Sequence, residues 1–239
     1  MPESESFQQF VGSLQMAEEL LRIEKDLYPN PVRKDAKKAV QGLRGGATVL
    51  TVAAFENFLR TAFQEHLSLL SRNLHLGSNI SFDKLPEKMR VSCVYLTLEQ
   101  AMKGPPFQEA PPKVQRLTDI SKACKMLISE ILDPRVFSNT GSNPNSKTVT
   151  LMFSNLGIQK VFTVIKEGFE QQWNKPIAHN FIEYTLDEII QRRHAVAHTA
   201  DALDITRAEL KESIRFLKVV AKLLDTELKK YVDAILDVV

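Results

Sequence analysis

Apolar residues recur at helical spacing along most of this chain. They are spaced three or four residues apart over residues 7–27, 32–71, 86–102 and 114–132, and again through the last 70 or so residues. No alternating pattern typical of a strand stands out. Thr206 and Glu209 have the spacing of a capping box, which predicts the start of a final helix. The apolar stripe of that helix suits a bundle face and comprises Leu210, Ile214, Leu217, Val220, Leu224, Leu228 and Val232.

Proline and glycine divide the chain between these helices. Residues 28–31 end the first helix, and the segments 104–112 and 138–146 have the composition of loops. Gly42, Gly45 and Gly46 predict a bend or break in the second helix, because each glycine weakens a helix interior by up to ~1 kcal/mol. We expect a single all-α domain over residues 1–239. The pattern predicts an up-and-down helical bundle, formed by the first two and last two long helices, with a helical insertion at about 75–146.

Composition and charge limit the classes of function. The chain has 239 residues and a formal net charge of +2, which argues against a globally basic protein that coats nucleic acid. Cys93 and Cys124 lack metal-type spacing, so we expect core thiols in a reducing compartment. The first residues do not resemble a signal peptide, and the apolar run 47–55 is too short to cross a bilayer. These features predict a cytoplasmic protein with no membrane partner.

One helix face carries an arginine where an apolar residue is expected. A buried guanidinium needs a carboxylate, a wet cleft or a phosphate ligand, since an unpaired buried charge costs several kcal/mol. Glu56 is the candidate partner, because it and Arg60 are the only charges in the apolar stretch 47–63. At ~100° per residue the arc of that face contains Ile182, Leu186, Ile189, Arg193 and Val196.

Two histidines follow this arginine. His194 is the next residue, and His198 lies five residues after Arg193, about 140° around a regular helix. Arg193 and His198 would converge if the helix ended near His198 or if a second copy packed across a two-fold axis. Imidazole serves as acid or base near neutral pH, and guanidinium offers a fixed fork for phosphate.

These residues resemble the Arg-x4-His motif of the HEPN superfamily, helical domains named for higher eukaryotes and prokaryotes nucleotide-binding. Segments 54–59 (Ala-Phe-Glu-Asn-Phe-Leu) and 143–158, which begins Asn-Pro-Asn-Ser, are similar to the RiboL-PSP-HEPN type. The resemblance implies a HEPN-like bundle and a metal-independent endoribonuclease that needs no cofactor and acts on RNA as a homodimer. It also implies a toxin or a phage-defence effector, with an antitoxin or an ATPase as a candidate partner protein.

The chemistry of RNA cleavage gives each residue a candidate role. Attack by the 2′-hydroxyl needs a base, an acid for the leaving oxygen and a cation for the phosphorane charge. We assign acid/base chemistry to His198, phosphate and transition-state binding to Arg193, and a supporting polar role to His194. Glu56 would orient Arg193. Arg192, Lys37 and Lys38 are candidate substrate-binding residues, although a basic run such as 33–44 is more often a solvated helix face.

Other interpretations of the same residues stay open. Arg193 and His198 could simply be cations near the carboxyl end of a helix, where they complement its dipole. The chain could be a catalytically silent HEPN-like module that binds a partner protein or a nucleotide. His194 and His198 are four apart, as in zinc helices, but Ala195 stands where that motif carries its glutamate. Elsewhere, the pattern favours core or loop packing for Trp173 and a surface position for His66.

Overall fold

The computed structural model of the protein describes residues 3–28, 30–75, 82–103, 132–141, 143–199 and 205–237, with a few positions between 114 and 124. The helices whose bounds it describes are α1 (Glu5–Leu27), α2 (Lys37–His75), α3 (Glu87–Lys103), α4 (Ser146–Leu156), α5 (Val161–Trp173), α6 (Phe181–Thr199) and α7 (Arg207–Asp237). Short 3-10 turns lie at Lys34–Ala36, Phe82–Lys84 and Pro134–Ser138. No strand occurs in these ranges, so the predicted all-α class is confirmed.

The chain folds into two compact units, each assembled from separate stretches of sequence. The first contains Met1–Leu59, Asn143–Ser146 and Phe162–Asp225, and it holds α1, the first part of α2, α6 and most of α5 and α7. The second contains Arg60–Ser142, Lys147–Val161 and Thr226–Val239. Arg193 and the residues around it belong to the first unit. The insertion at 75–146 stays a prediction.

Two local signals fix the starts of long helices. Ser4 caps α1 by accepting a 3.1 Å hydrogen bond from the backbone N–H of Phe7. At the start of α7, Glu209 accepts from the Thr206 backbone N–H at 2.7 Å, and the Thr206 hydroxyl accepts from the Glu209 backbone N–H at 3.2 Å. The predicted capping box is therefore formed, and the seven residues of the predicted α7 stripe are all buried.

Helix α2 continues unbroken through its three glycines, so the expected break is wrong. The reason is tertiary packing. A Cβ atom on Gly45 would lie 3.1 Å from Val196 Cγ1, and one on Gly46 would lie 3.3 Å from Leu20 Cδ1. The missing side chains of Gly45 and Gly46 thus allow α6 and α1 to approach α2 closely, and this contact offsets the weak helix propensity of glycine.

A buried three-charge cluster joins α1, α2 and α7. Glu24 has no exposed surface and accepts hydrogen bonds from Arg44 Nη2 at 2.8 Å and from Arg207 Nε. Arg44 Nη1 also donates to the backbone carbonyl of Ile205, the residue that precedes the capping box, at 2.9 Å. Burial raises the pKa of the Glu24 carboxyl, but the hydrogen bonds from Arg207 and Arg44 outweigh it and hold that pKa below its ordinary value.

Single-residue expectations have mixed outcomes. Trp173 is buried as predicted, at 5% exposure. His66 is 3% exposed, so its expected surface position is wrong; it lies next to the buried Leu67 of α2. Cys93 is a core thiol, whereas Cys124 is exposed, which corrects the prediction of two core thiols. Within the described residues no single helix is long and apolar enough to cross a membrane, and α4 with α5 reaches that length only as a bent pair.

Candidate active site

Helix α6 carries the motif, and its buried face explains the position of the arginine. Ile182, Leu186 and Ile189 are each at most 3% exposed. The next position along this stripe is Arg193, whose side chain is 21% exposed. The arginine therefore continues an apolar face, as the sequence pattern predicts, but retains an opening to solvent.

Glu56 on α2 is the carboxylate that faces Arg193. Its Oε2 atom lies 3.8 Å from Arg193 Nη2, and its side chain is 17% exposed. Its neighbours on α2, Phe55 and Phe58, are fully buried in the aromatic core of the first unit. The ion pair that the sequence predicts is thus present. Its part in orienting Arg193 for chemistry stays a prediction.

Among the described residues, the only contact given for the Arg193 guanidinium is this ion pair. At 3.8 Å the Glu56 contact is electrostatic and too long for a hydrogen bond. Guanidinium has five N–H donors, and within the described part of the chain none of those of Arg193 makes a hydrogen bond. The partly exposed fork is therefore available to an anionic ligand.

A loop that precedes α4 lies along the polar side of α6. Asn143 Oδ1 is 3.5 Å from His194 Nε2, a long polar contact. Three residues later, the backbone N–H and the hydroxyl of Ser146 each donate to the carboxylate of Asp187 at 2.8 Å. Asp187 and His194 are seven residues apart, about 20° around the helix, so one loop reaches both. The two contacts hold the loop over two turns of α6.

Asp187 and Asn143 are residues whose roles the sequence pattern does not reveal. The pattern marks Asn143 only as part of a resembling segment and does not single out Asp187. The signal available in the sequence is that Asp187 and His194 are seven residues apart, which puts both on one face of a helix. Leu186, next to Asp187, is fully buried. That spacing shows a shared face but gives no information on which loop covers it.

His198 lies in the last turn of α6, which ends at Thr199. Its backbone is helical, and its side chain lies outside the described part of the chain. Because α6 is helical through this residue, His198 stays about 140° around the axis from Arg193. One copy of the helix does not bring the two positions to one face.

The helix dipole explains only part of this arrangement. Its effect is confined to about the last turn of a helix. It accounts for a histidine at position 198 but not for Arg193, which lies more than one turn before the end of α6 and faces a carboxylate. For the metal interpretation, no group of three or more His, Cys, Asp or Glu side chains within the described ranges could hold an ion.

The candidate substrate-binding residues lie in two places. Arg192 is half-buried, and its Nη2 atom is 3.9 Å from Glu188 Oε1 on the same helix. Lys37 and Lys38 form the exposed first turn of α2. The structure gives no contact between these lysines and Arg193, so their role in binding stays a prediction.

Glu56 and Asn143 come from the two segments that resemble the RiboL-PSP-HEPN type, and both contact the motif helix. The sequence matches the RiboL-PSP-HEPN family over residues 14–230, nearly the whole chain. The chain belongs to this family. It matches no curated protein sequence and no solved structure. Membership in the HEPN superfamily fits the helical bundle and suggests an RNase-type or nucleotide-binding module, since HEPN domains are often endoribonucleases.

Proposed function

We propose that this HEPN protein is a metal-independent endoribonuclease that acts as a homodimer. The observation that carries the proposal is the Arg193 guanidinium, which interrupts the apolar face of α6, faces Glu56 and donates no hydrogen bond to any described residue. A charge in such a position destabilises the fold unless it has a charged or polar partner, and phosphate is the ligand that a guanidinium fork binds best.

The reaction would use the 2′-hydroxyl of RNA as its nucleophile. An imidazole of His198 takes the proton of that hydroxyl as its oxygen bonds to phosphorus, and the bond from phosphorus to the 5′-oxygen breaks. An imidazolium gives a proton to the leaving 5′-oxygen, so the products are a 2′,3′-cyclic phosphate and a 5′-hydroxyl. Arg193 binds the charge that develops on the phosphorane. DNA would not be cut, because it lacks the attacking hydroxyl.

The 140° separation on α6 supports a site shared by two copies. A two-fold axis beside α6 would bring two Arg193 and two His198 residues to one cleft, so that one imidazole acts as base and the other as acid. His194, against Asn143, would support this cleft as a polar group. A strictly monomeric protein in analytical ultracentrifugation would contradict the shared site.

The decisive experiment incubates labelled single-stranded RNA with purified protein in excess chelator. Wild type should cleave, and His198→Ala should lower the rate at least ~100-fold, as expected for loss of acid–base catalysis. His179→Ala is the matched control, because His179 is an exposed histidine just before α6 and should keep the wild-type rate. Inhibition by chelator would favour a metallohydrolase, and no cleavage of any RNA would favour a silent binding module.

A biological role as a toxin or phage-defence effector is part of the same proposal. Induced expression of wild type in a bacterial host should slow growth, whereas His198→Ala should not. Relief by a co-expressed neighbouring gene would identify an antitoxin or an ATPase partner. Equal growth inhibition by both proteins would contradict a role that depends on cleavage.

A further inference from the structure

A groove between α1 and α7 is lined mainly by cationic side chains. It lies within the first unit and has a volume of about 530 Å³. Its charged lining residues are Glu18, Arg22, Lys25, Lys211, Arg215 and Lys218. Five of these six are cations, although the whole chain has a net charge of only +2. The groove therefore concentrates positive charge on one part of the surface.

The cations on the α7 wall form one stripe. Lys211, Arg215 and Lys218 are four and then three residues apart, so they lie on the same side of the helix and extend over about 10 Å at ~1.5 Å per residue. Lys222, four residues further along, continues the stripe. The groove thus offers a line of positive charges and not a single one.

The two walls run in opposite directions. Glu18 accepts a 2.8 Å hydrogen bond from Lys218 Nζ, whereas Glu24, further along α1, contacts Arg207 at the beginning of α7. Progress toward the carboxyl end of α1 is therefore matched by progress toward the amino end of α7. This antiparallel register sets which residues face one another across the groove.

Cations face cations along most of the groove. Seven residues beyond the Glu18–Lys218 pair on α1, and seven before it on α7, the register places Lys25 opposite Lys211. Among the described residues, neither these two lysines nor Arg215 has a carboxylate partner, and all three are exposed. Like charges that face one another repel, and an anion between them would offset this repulsion.

The floor of the groove offers almost no apolar surface. Leu21 and Ile214, which lie beneath the cations, are 1% and 3% exposed. A partner helix that binds in a groove relies on apolar anchors, whereas the phosphates of a nucleic-acid strand need only cations. The lining therefore favours a strand of phosphates over an acidic helix of a partner protein.

The groove and Arg193 lie on opposite sides of the first unit. Aromatic contacts join α1 to α2 and α6 to α7, and ion pairs join α2 to α6 and α7 to α1. The order around the bundle is therefore α1, α2, α6 and α7, which puts the groove across the bundle from the contact between α2 and α6 that holds Arg193. With helix diameters of ~10 Å, a strand must extend about 20 Å to reach both.

We propose that this groove binds the phosphate backbone of an RNA strand, several nucleotides away from the scissile bond. The identity of the strand rests on the proposed function. The groove takes no part in the chemistry and holds only RNA that is long enough to pass around the bundle. Because phosphate contacts do not depend on the base, it adds affinity without sequence preference.

The salt dependence of binding tests the groove without cleavage. A long labelled oligouridine is titrated into His198→Ala protein, with and without the groove variant Lys25→Gln/Lys211→Gln/Arg215→Gln. Each phosphate contact on a single strand contributes about 0.7 to the slope of log affinity against log salt, so the groove variant should lower the slope by about 2. Between ~50 and ~200 mM salt, the parent should then lose roughly 20-fold more affinity than the groove variant.

A second triple variant is the matched control. Lys88→Gln/Lys229→Gln/Lys230→Gln removes the same charge from the second unit and should keep the slope of the parent. An equal loss of slope in both variants would show a general effect of net charge and overturn the inference, as would no binding of oligouridine to the parent. Polyglutamate that binds the parent at least as tightly, and not the groove variant, would assign the groove to an acidic protein and overturn the RNA assignment.

Cleavage by protein that retains His198 tests the distance from the scissile bond. The groove substitutions should raise KM for long RNA about tenfold or more, leave kcat unchanged, and leave kcat/KM for a uridine dinucleotide unchanged, because a dinucleotide cannot span the bundle. An equal loss with the dinucleotide would overturn the remote position. If wild type cuts RNA and the groove substitutions change neither slope nor KM, the inference fails and the proposed function stands. If the slope falls as expected but wild type cuts no RNA, the proposed function fails and the groove assignment stands.

Discussion

The loop that holds Asn143 against His194 depends on one carboxylate. Asp187 accepts two hydrogen bonds of 2.8 Å from Ser146, and one of them engages the backbone N–H of the first residue of α4. Hydrogen bonds to charged groups contribute ~1.5–3 kcal/mol each, and capping side chains contribute ~0.5–2 kcal/mol. Because Asp187 is only half-buried, the lower ends of these ranges apply. With ~1.5 kcal/mol for the hydroxyl hydrogen bond and ~0.5 kcal/mol for the contact to the backbone N–H, Asp187→Ala should lower the free energy of unfolding by about 2 kcal/mol.

Stability and cleavage should respond differently to this change. A domain with a free energy of unfolding of ~5–15 kcal/mol stays almost wholly folded after a loss of about 2 kcal/mol. The loop, however, would leave α6, and Asn143 would no longer contact His194. We expect the cleavage rate of Asp187→Ala to fall roughly tenfold or more, well beyond the loss of folded protein, and Asp187→Asn, which keeps one acceptor oxygen, to lie between it and wild type.

Urea unfolding followed by circular dichroism at pH 7 gives the free energies, and the RNA assay gives the rates. Asp26→Asn is the matched control, because Asp26 forms a solvent-exposed pair with Arg22 at 3.0 Å, and exposed pairs contribute little to stability. If Asp187→Ala were no less stable than Asp26→Asn, the loop would not depend on the carboxylate. If it cleaved RNA at the wild-type rate, the Asn143 contact would have no part in the reaction.

Three further changes test other parts of the molecule. Glu24→Gln should lower the free energy of unfolding by ~3–5 kcal/mol at pH 7, because it leaves two arginines without their buried partner. The ionised Glu24 carboxylate, whose pKa is lowered in the folded state, stabilises the fold above its unfolded pKa of ~4.3. This contribution is lost as pH falls through the folded pKa, so the free energies of unfolding of the variant and wild type in urea should converge below about pH 4. A constant difference between them would contradict this linkage. Burial raises the pKa of Cys93 to about 11, so at pH 8 a thiol reagent should modify the exposed Cys124 quickly and Cys93 slowly. Rapid modification of both cysteines would refute this. Gly157 has φ +104°, and Gly157→Ala should lower the thermal midpoint through a cost of ~1 kcal/mol or more, whereas an unchanged midpoint would exclude this strain.

The features that depend on local periodicity could be predicted from the sequence. The α7 stripe and its capping box involve residues within a few turns of one another, so spacing alone identifies them. The Arg193–Glu56 pair is also predictable, because each residue is a charge within an apolar pattern and each needs a partner.

The other contacts between distant residues could not be predicted in this way. Gly45 and Gly46 were expected to weaken α2, and only the packed structure shows Val196 and Leu20 occupying the space above them. The Asp187–Ser146 contact spans 41 residues and depends on the path of a loop, which no local pattern encodes.

At Arg193, the requirement for stability conflicts with the requirement of the proposed activity. This arginine continues a stripe of isoleucine and leucine on α6, where packing alone would be served at least as well by methionine. Replacing a buried ion pair with well-packed apolar residues is often neutral or stabilising. A double substitution of Arg193 and Glu56 by apolar residues should thus yield a protein as thermally robust as wild type, or more so, yet inert toward RNA. If the chain has the activity proposed above, substitutions that stabilise this position would remove that activity, and only selection for it opposes them.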